Sequence, residues 1–465
     1  MATITPQPPG YAVEFDSPPP ARFADPGTDN AFVVAFADRG TIAQAADIGA
    51  LDAALGARTN YSNGRDLAAT MLAVGARTVT FARVVGPGAT AARLDLSDGD
   101  RTDPRTAGTL TVKWQGASGA GLKAEVVDVS GARRIIVTEG ARTLAVSPTT
   151  TDFADLNAWT AAQDVVTAAF TRLPAAVSAR SFTGGTDDRA NVTSADWVAA
   201  LDSLDRRYGP GVLIVDSTDD AVHQAALAHG AEFNREVLLF LAPDATQSDA
   251  ETYALGMQAD APDNVKIGGV FKTWCWTTPV AGEPQRFVPY AAVQGGLICR
   301  NDRERGLRAP PFGVTNGAAP GVTRLHEDLS DDDRHELYVA GVNIATDDGF
   351  TIATWGYRTL DLDPLHDDLH HRHVRVKLKW RAEQIAKRFI GPPINPRTQA
   401  DYHGELEAMC EAFADDEAIA AYLVDVDGVN TPETAAARER HAVIYVRHTE
   451  TSDWVTVTIP VLPTT

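Results

Sequence analysis

The sequence is poor in sulfur-containing residues, with three cysteines and four methionines in 465 residues. The cysteines, Cys275, Cys299 and Cys410, are odd in number and far apart, which excludes a disulfide framework and fits a reducing compartment. No apolar run approaches the ~18 residues of a membrane-spanning helix. The first residues lack a basic segment followed by an apolar one, so no secretory signal peptide is expected.

Positive charge is also in deficit. Lysine and arginine number 41 against 62 aspartates and glutamates, a formal net charge of −21. This balance argues against a protein whose main task is to bind nucleic acid or an anionic membrane surface. Apolar residues make up 44% of the chain, so most of it is expected to fold.

Local catalytic motifs are missing as well. The sequence contains no phosphate-binding G-x-x-x-x-G-K-[ST] loop, no G-x-S-x-G and no H-E-x-x-H. Four histidines cluster at His366, His370, His371 and His373, but no second group of ligands completes a metal site. We therefore predict no catalytic residue, no bound metal and no cofactor.

Continuous apolar runs that alternate with helical periodicity predict an α/β core with a largely parallel sheet. The predicted strands are 31–37, 78–85, 211–216 and 237–243, and the predicted helices are 44–55, 64–75, 194–205 and 219–235. Residues 280–345 are expected to be rich in loops, apart from a helix at 330–338 that Ser330 caps.

The rest of the chain predicts further units. Short alternating strands indicate an inserted, mostly β domain, and the last quarter predicts a strand at 351–355, helices at 370–390 and 399–420, and closing strands at 441–447 and 454–459. The predicted fold class is thus multidomain α/β. Its parts are an N-terminal arm (1–30), the α/β core (31–90 and 181–345), the insert (91–180), a C-terminal α+β domain (346–450) and a C-terminal arm (451–465).

The predicted helix at 370–390 is strongly basic. It contains seven lysines and arginines and a single acidic residue, Glu383. Of the basic residues we single out Arg372, Arg375, Lys379 and Arg381. On a chain of charge −21, such a face indicates an acidic partner surface. Pairing with the chain's own carboxylates explains the same pattern equally well.

Both ends of the chain carry strand patterns. In the proline-rich N-terminal arm, Tyr11, Val13 and Phe15 alternate as in a short edge strand that has no partner nearby in sequence. At the other end, the C-terminal strand shows the same period of two: Trp454, Thr456 and Thr458 alternate with Val455, Val457 and Ile459.

These end strands predict strand donation between subunits, and the strand containing Val443 and Tyr445 is the predicted receiver. The alternative is a plain hairpin between residues 441–447 and the C-terminal strand of the same chain.

Several stretches match, in order, a family of known proteins. They are the entry from Pro9 to Glu14, the run AFVVAFADRG (31–40), the turn SFTGGTDD (181–188), and residues 328–360 with Gly341-Val342-Asn343-Ile344 and Trp355-Gly356-x-Arg358-Thr359-Leu360. The sequence resembles the contractile tail sheath proteins of phages and related injection machines.

This resemblance implies a structural protein and not an enzyme. Subunits would form six-membered rings, stacked as a helical polymer around a tail tube, with the tube, baseplate and tail terminator proteins as partners. The expected location is the virion tail, assembled in the host cytoplasm. The basic helix would face the tube. Two alternatives remain: the sheath of a phage-derived bacteriocin or injection system, and a soluble α/β hydrolase-like enzyme.

Overall fold

The computed structural model describes residues 29–56, 64–100, 103, 105–260 and 266–451. In these ranges the strands are β1 (Asn30–Ala35), β2 (Ile42–Ala45), β3 (Thr78–Arg83), β4 (Ala91–Ser97), β5 (Thr106–Gln115), β6 (Leu122–Val129), β7 (Ala132–Glu139), β8 (Arg142–Val146), β9 (Val166–Ala168), β10 (Val177–Ser181), β11 (Gly211–Val215), β12 (Arg235–Phe240), β13 (Gly269–Phe271), β14 (Trp274–Thr277), β15 (Arg286–Pro289), β16 (Val322–Leu325), β17 (Val342–Asp347), β18 (Ile352–Trp355), β19 (Ile419–Asp425) and β20 (Val443–His448).

The same ranges contain α-helices of four to 20 residues. They are α1 (Ile48–Leu55), α2 (Gly64–Val74), α3 (Phe153–Ala162), α4 (Ser194–Asp202), α5 (Asp220–Phe233), α6 (Gln247–Asp260), α7 (Tyr290–Glu304), α8 (Gly313–Asn316), α9 (Asp331–Val339), α10 (Leu369–Arg388), α11 (Pro396–Asp415) and α12 (Pro432–Ala436). Among the described helices, none combines the length and the apolar character needed to cross a bilayer.

Eight strands form the central sheet, in the order β18-β17-β13-β12-β11-β1-β3-β2. The six inner strands are parallel, and β2 and β18 pair antiparallel at the edges. In the middle, Phe32 of β1 lies in register with Leu213 of β11 and Thr80 of β3. Residues 31–35 are fully buried, as expected for a parallel strand covered on both faces. The predicted α/β core with a largely parallel sheet is confirmed.

Helices cover both faces of this sheet. On one face, α1, α2 and α7 build a core that includes Met71 and Leu297. On the other face, α4, α5, α6 and α9 build a second core that includes Trp197 and Leu227. The result is a doubly wound arrangement, in which each parallel strand contributes alternate side chains to each core.

The expectation that residues 280–345 are rich in loops is wrong for α7, a largely buried helix of 15 residues. Gly295 and Gly296 weaken the helical pattern, because glycine has a low helix propensity. The structure shows why both are there. A Cβ on Gly296 would lie 2.6 Å from the Cβ of Val74, so glycine permits the close packing of α7 on α2.

Several element boundaries also differ from the sequence prediction. The helix predicted at 44–55 is the edge strand β2 followed by α1, whose N-cap is Asp47. The helix predicted at 399–420 ends at Asp415 and β19 follows it, while α3 and α6 were not predicted. The helix at 330–338 is confirmed as α9, with Ser330 and Asp333 forming a reciprocal capping box.

Between β3 and α4 lies a β-rich unit with its own apolar core. It consists of the sheets β4-β5-β9 and β10-β6-β7-β8. Arg83 of β3 ties it to the central sheet, because its guanidinium donates to the carbonyls of Ala37 and Gln115 at 2.6 and 2.5 Å. Burial lowers the pKa of Arg83 to about 10, so it remains charged at neutral pH.

The C-terminal quarter also differs from the prediction in the sheet to which its first strand belongs. The strand predicted at 351–355 is β18, which pairs with β17 and therefore belongs to the central sheet. Helices α10 and α11 and the hairpin β19–β20 share a separate core. The predicted apolar stripe of α10 is confirmed, since Val374, Leu378 and Ile385 are buried in this core.

We expect Gly296→Ala to lower the free energy of unfolding by about 1–3 kcal/mol, because the added methyl overpacks the α2–α7 contact. Gly256→Ala in α6 is the matched control, since its Cβ meets no atom within 4 Å. The control should be neutral or stabilising by up to about 1 kcal/mol. Urea unfolding followed by tryptophan fluorescence measures both. Equal stability of the two variants would contradict the packing argument.

Candidate assembly interface

The connections that follow β1 and β11 run to opposite faces of the central sheet. In a doubly wound fold, ligands usually bind in the crevice at the carboxyl ends of two such strands. In this protein, side chains fill that place. Phe36, just after β1, packs edge-on against Trp197 at 5.2 Å between ring centroids. The guanidinium of Arg189, in the segment that returns from the β-rich unit, lies 5.1 Å from the same Phe36 ring. This geometry favours a structural role for the sheet edge.

Helix α10 links the central sheet to the C-terminal hairpin. It begins at the N-cap Asp368, whose carboxylate accepts from the backbone amides of His370 and His371 at 2.6 and 3.2 Å. Its first half is buried, starting with Leu369, which packs into the core of the central sheet. The helix therefore contacts both the core of the central sheet and the core that it shares with α11 and the hairpin β19–β20.

The buried half of α10 contains ionisable side chains that contact ionisable groups of other elements. The imidazole of His373 donates to Glu236 of β12 at 2.5 Å and to Asp302 of α7 at 2.9 Å. Lys377, one turn later, pairs with the same Asp302 at 2.5 Å. We call His373, Lys377, Glu236 and Asp302 the buried charge network. It contains two potential cations and two carboxylates, so its charges cancel when His373 is protonated.

The surroundings of His373 keep it protonated. Burial opposes the charge, but the carboxylates of Asp302 and Glu236 outweigh burial and raise the pKa of His373 to about 9. Burial likewise opposes ionisation of Asp302, and the cations of His373 and Lys377 lower its pKa to about 2. His373 and Asp302 are therefore both ionised at neutral pH.

The other clustered histidines have separate environments. Burial lowers the pKa of His370 to about 3, so it is neutral at pH 7. His371 stacks on His448 at 4.5 Å between ring centroids, and His366 lies 3.4 Å from Asp361. Within the described ranges, no group of three or more histidine, cysteine, aspartate or glutamate side chains is arranged to hold a metal ion.

The four basic residues singled out on α10 do not share one environment. Arg372 and Arg375 are half-buried, and burial lowers the pKa of both, to about 10 for Arg372. Arg375 donates to the carbonyl of Leu365 at 2.9 Å. Arg381 is half-buried over the ring of Phe413 at 5.1 Å. Only Lys379 of the four is exposed.

The predicted receiving strand is β20, and its partner is a strand that the sequence analysis missed. β20 pairs antiparallel with β19, where Tyr445 lies opposite Leu423 and Val443 opposite Asp425. Leu423 and Tyr445 are 62% and 56% exposed and form an apolar outer face. The inner face packs on α11. Among the described residues, no other strand pairs with the remaining edge of β19 or of β20.

The chain leaves this hairpin beside the start of α10. The carbonyl of Thr449 lies 3.1 Å from Nε2 of His371, and the hydroxyl of Thr451 donates to the Asp368 carboxylate at 3.1 Å. These contacts fix the point from which the last 14 residues of the chain continue. The predicted donor strands lie outside the described residues: Tyr11, Val13 and Phe15, and Trp454, Val455, Val457 and Ile459.

Two residues of the buried charge network cannot be recognised from the sequence. Glu236 and Asp302 lie 137 and 71 positions from His373, and nothing local marks them as its partners. β19 did leave a signal, the β-favouring run Tyr422-Leu423-Val424. The helical periodicity of the preceding residues concealed it.

Comparison with known proteins identifies the central part of the chain. Residues 190–360, from just before α4 to just after β18, match the family model of the phage tail sheath protein central domain. This part of the chain is similar to the phage tail sheath central domain. Members of this family are structural sheath proteins and not enzymes, so the hydrolase-like alternative is not favoured. Among curated proteins, none matches the sequence.

Solved sheath structures share the fold of this chain over nearly its whole length. A sheath tail protein from Listeria innocua has a TM-score of 0.62 at 12% identity, covering 91% of this chain and 95% of its own. One from Desulfitobacterium hafniense has a TM-score of 0.59 at 15% identity, with coverage of 94% and 100%. The contracted helical sheath of the anti-feeding prophage has a TM-score of 0.56 at 12% identity, with coverage of 98% and 99%.

The buried charge network predicts a pH dependence of stability. His373 is protonated up to about pH 9 in the folded protein, but only to about pH 6.5 in the unfolded chain. Its contribution is complete below pH 6.5 and is lost as the pH rises through 9. We therefore expect the free energy of unfolding to fall between pH 7 and pH 9, by at most about 1.4 kcal/mol per pH unit from this group.

Urea unfolding at pH 6.5 to 10 tests this expectation. His373→Gln should be less stable at pH 7, by about 3–5 kcal/mol, because it leaves two carboxylates around one cation. Its stability should also fall less steeply with pH than that of the wild type. His441→Gln, which changes an exposed histidine, should keep the wild-type slope. Parallel curves for His373→Gln and the wild type would contradict the assignment.

Proposed function

We propose that the chain is the structural subunit of a contractile tail sheath. Subunits form six-membered rings that stack as a helical polymer around a tail tube. Contraction of this polymer drives the tube through a cell envelope. The tail sheath central domain at residues 190–360 carries the proposal. The fold shared with the contracted anti-feeding prophage sheath supports it.

Contraction of the proposed polymer needs no nucleotide, because the free energy is stored at assembly and released when subunits form more favourable interfaces. Such a lattice must have two discrete arrangements, and rigid subunits joined by flexible arms allow this. The baseplate triggers the change, the tail terminator caps the polymer, and the subunit assembles in the host cytoplasm into the virion tail.

The hairpin β19–β20 supports strand donation between subunits. Its two outer edges have no partner strand among the described residues, and unpaired strand edges readily accept another strand. The chain offers two strand-forming ends, one around Val13 and one around Val457. On this proposal, arms from neighbouring copies pair with the hairpin, with β20 as a receiving strand.

The sheath of a phage-derived bacteriocin or injection system is the second candidate, and the similar fold of the anti-feeding prophage sheath favours it. The subunit has the same role in either machine. Genes for a capsid and a terminase beside the sheath gene would favour the virus.

Negative-stain microscopy of the concentrated protein, alone and co-expressed with the tube protein, tests the proposed function. Six-membered rings or striated hollow tubes are expected in at least one sample. Monomers in both samples would contradict the proposal.

Deletion of residues 453–465 should leave a folded subunit that does not polymerise, because the deletion removes a donor strand. The control lacks only residues 463–465 and keeps the alternating segment. Circular dichroism checks folding, and electron microscopy with sedimentation checks assembly. Normal tubes from the longer deletion would contradict strand donation by the C-terminal arm.

Lys379→Glu tests the proposed tube-facing role of α10. Lys379 is the exposed member of the basic set, so its reversal should leave folding unchanged. We expect severalfold weaker co-sedimentation with the tube protein, and a smaller difference at high salt because salt screens the attraction. Lys379→Gln should have an intermediate effect. Equal co-sedimentation of Lys379→Glu and the wild type would mean that this side chain does not face the tube.

A further inference from the structure

A groove of about 750 Å³ lies where α10 turns into α11. Phe389, Ile390 and Pro393 line it from the end of α10 and the turn, and Tyr402 lines it from α11. Ile390 is 78% exposed and Ile394, at the same groove, is 42% exposed. Apolar side chains gathered in this way on the surface indicate an interaction site.

Two arginines give the apolar groove a positive charge. Arg440 lies over the rings of Phe389 and Tyr402, at 5.4 and 5.7 Å, and donates to Thr398 Oγ1 at 2.9 Å. Its Nη2 also donates to the carbonyl of Pro393 at 3.3 Å, whereas its Nε and Nη1 are buried without a hydrogen-bond partner among the described residues. Arg438, also lining the groove, is exposed.

Within the described part of the chain, neither arginine forms an ion pair with a carboxylate. Such pairing is common elsewhere on this acidic protein, as in the contact between Arg388 and Glu405. A groove with apolar walls and two guanidinium groups that no described carboxylate neutralises therefore fits a peptide that combines carboxylates with apolar or proline residues.

We propose that the groove binds residues 14–20 of the N-terminal arm of a neighbouring copy. This segment reads Glu-Phe-Asp-Ser-Pro-Pro-Pro, and Glu14 and Asp16 are the only charged side chains among the first 20 residues. Their carboxylates complement Arg438 and Arg440. The ring of Phe15 and the extended proline run complement the aromatic and proline walls, and a proline-rich segment loses little entropy when it binds.

The groove also continues the interface of the proposed function, on which this inference rests. Arg440 precedes β20 by three positions. A strand of residues 11–15 that pairs antiparallel with the outer edge of β20 would run towards Val443 and then beyond it. Residues 16–20 would then lie beside the segment that contains Arg438 and Arg440. One arm would thus be held by backbone bonds and then by charge and apolar contacts.

The length of the arm allows this contact between copies. The 28 residues before the described structure span up to about 90 Å when extended. The donor segment lies nine to 15 positions before Asp29, so about 30–50 Å of chain separates it from the central sheet. An arm of this length can contact a second copy whose groove lies within that distance.

Disulfide trapping in the full-length protein tests the proposal. One tagged copy carries Ser17→Cys and a differently tagged copy carries Ile390→Cys. The three native cysteines are buried and provide little background. We expect at least tenfold more cross-linked heterodimer than with the control Leu365→Cys, an equally exposed leucine outside the groove. Glu14→Gln in the donor, Arg438→Gln in the receiver or 0.5 M NaCl should each reduce the yield severalfold.

Equal cross-linking of Ile390→Cys and Leu365→Cys would overturn the assignment. So would linkage that forms only within one chain of a protein carrying both Ser17→Cys and Ile390→Cys. The outcome is separable from that of the proposed function. Tubes without selective cross-linking would leave the sheath proposal intact and refute the groove, whereas selective cross-linking without tubes or rings would support the groove and refute the sheath.

Discussion

The buried charge network joins three distant parts of the chain. His373 and Lys377 come from α10, Glu236 from β12 and Asp302 from α7. A buried cation is stable only when it pairs with an anion. These ion pairs therefore fix the position of α10 along its axis, and its rotation about that axis, relative to β12 and α7. The positions of α11, the hairpin β19–β20 and the groove follow from the position of α10. Such a contact opposes rotation of the C-terminal unit against the core.

The hairpin β19–β20 has exposed strand edges. Most proteins cover or charge exposed edges to avoid association. Here an apolar outer face formed by Leu423 and Tyr445 adjoins edges that have no partner strand among the described residues. The ends of the same chain carry strand patterns. On the proposed function, these edges would pair with strands from other copies of the chain.

The central sheet has the topology of many nucleotide-binding enzymes, yet its usual ligand position holds Phe36, Trp197 and Arg189. The segment that returns from the β-rich unit crosses this edge. The fold class alone would have allowed an enzyme, and the contents of the crevice argue against that reading. The same contacts tie the β-rich unit to the core, together with the carbonyl bonds of Arg83.

The sequence by itself determined the features that depend on neighbouring residues. The apolar run at 31–35 specifies a strand buried on both faces, Ser330 and Asp333 specify a helix start, and the spacing of Val374, Leu378 and Ile385 specifies the buried side of α10. Tertiary structure decided what depends on residues far apart. The glycine-containing segment of α7 is a buried helix because it packs on α2, and β18 belongs to the central sheet because it pairs with β17. The pairing of β19 with β20 likewise joins strands that are separate in sequence. Packing around α10 leaves three arginines of the basic set half-buried and its lysine exposed. Local propensity is read from adjacent side chains, whereas packing, strand pairing and burial of charge depend on partners that a single sequence does not place.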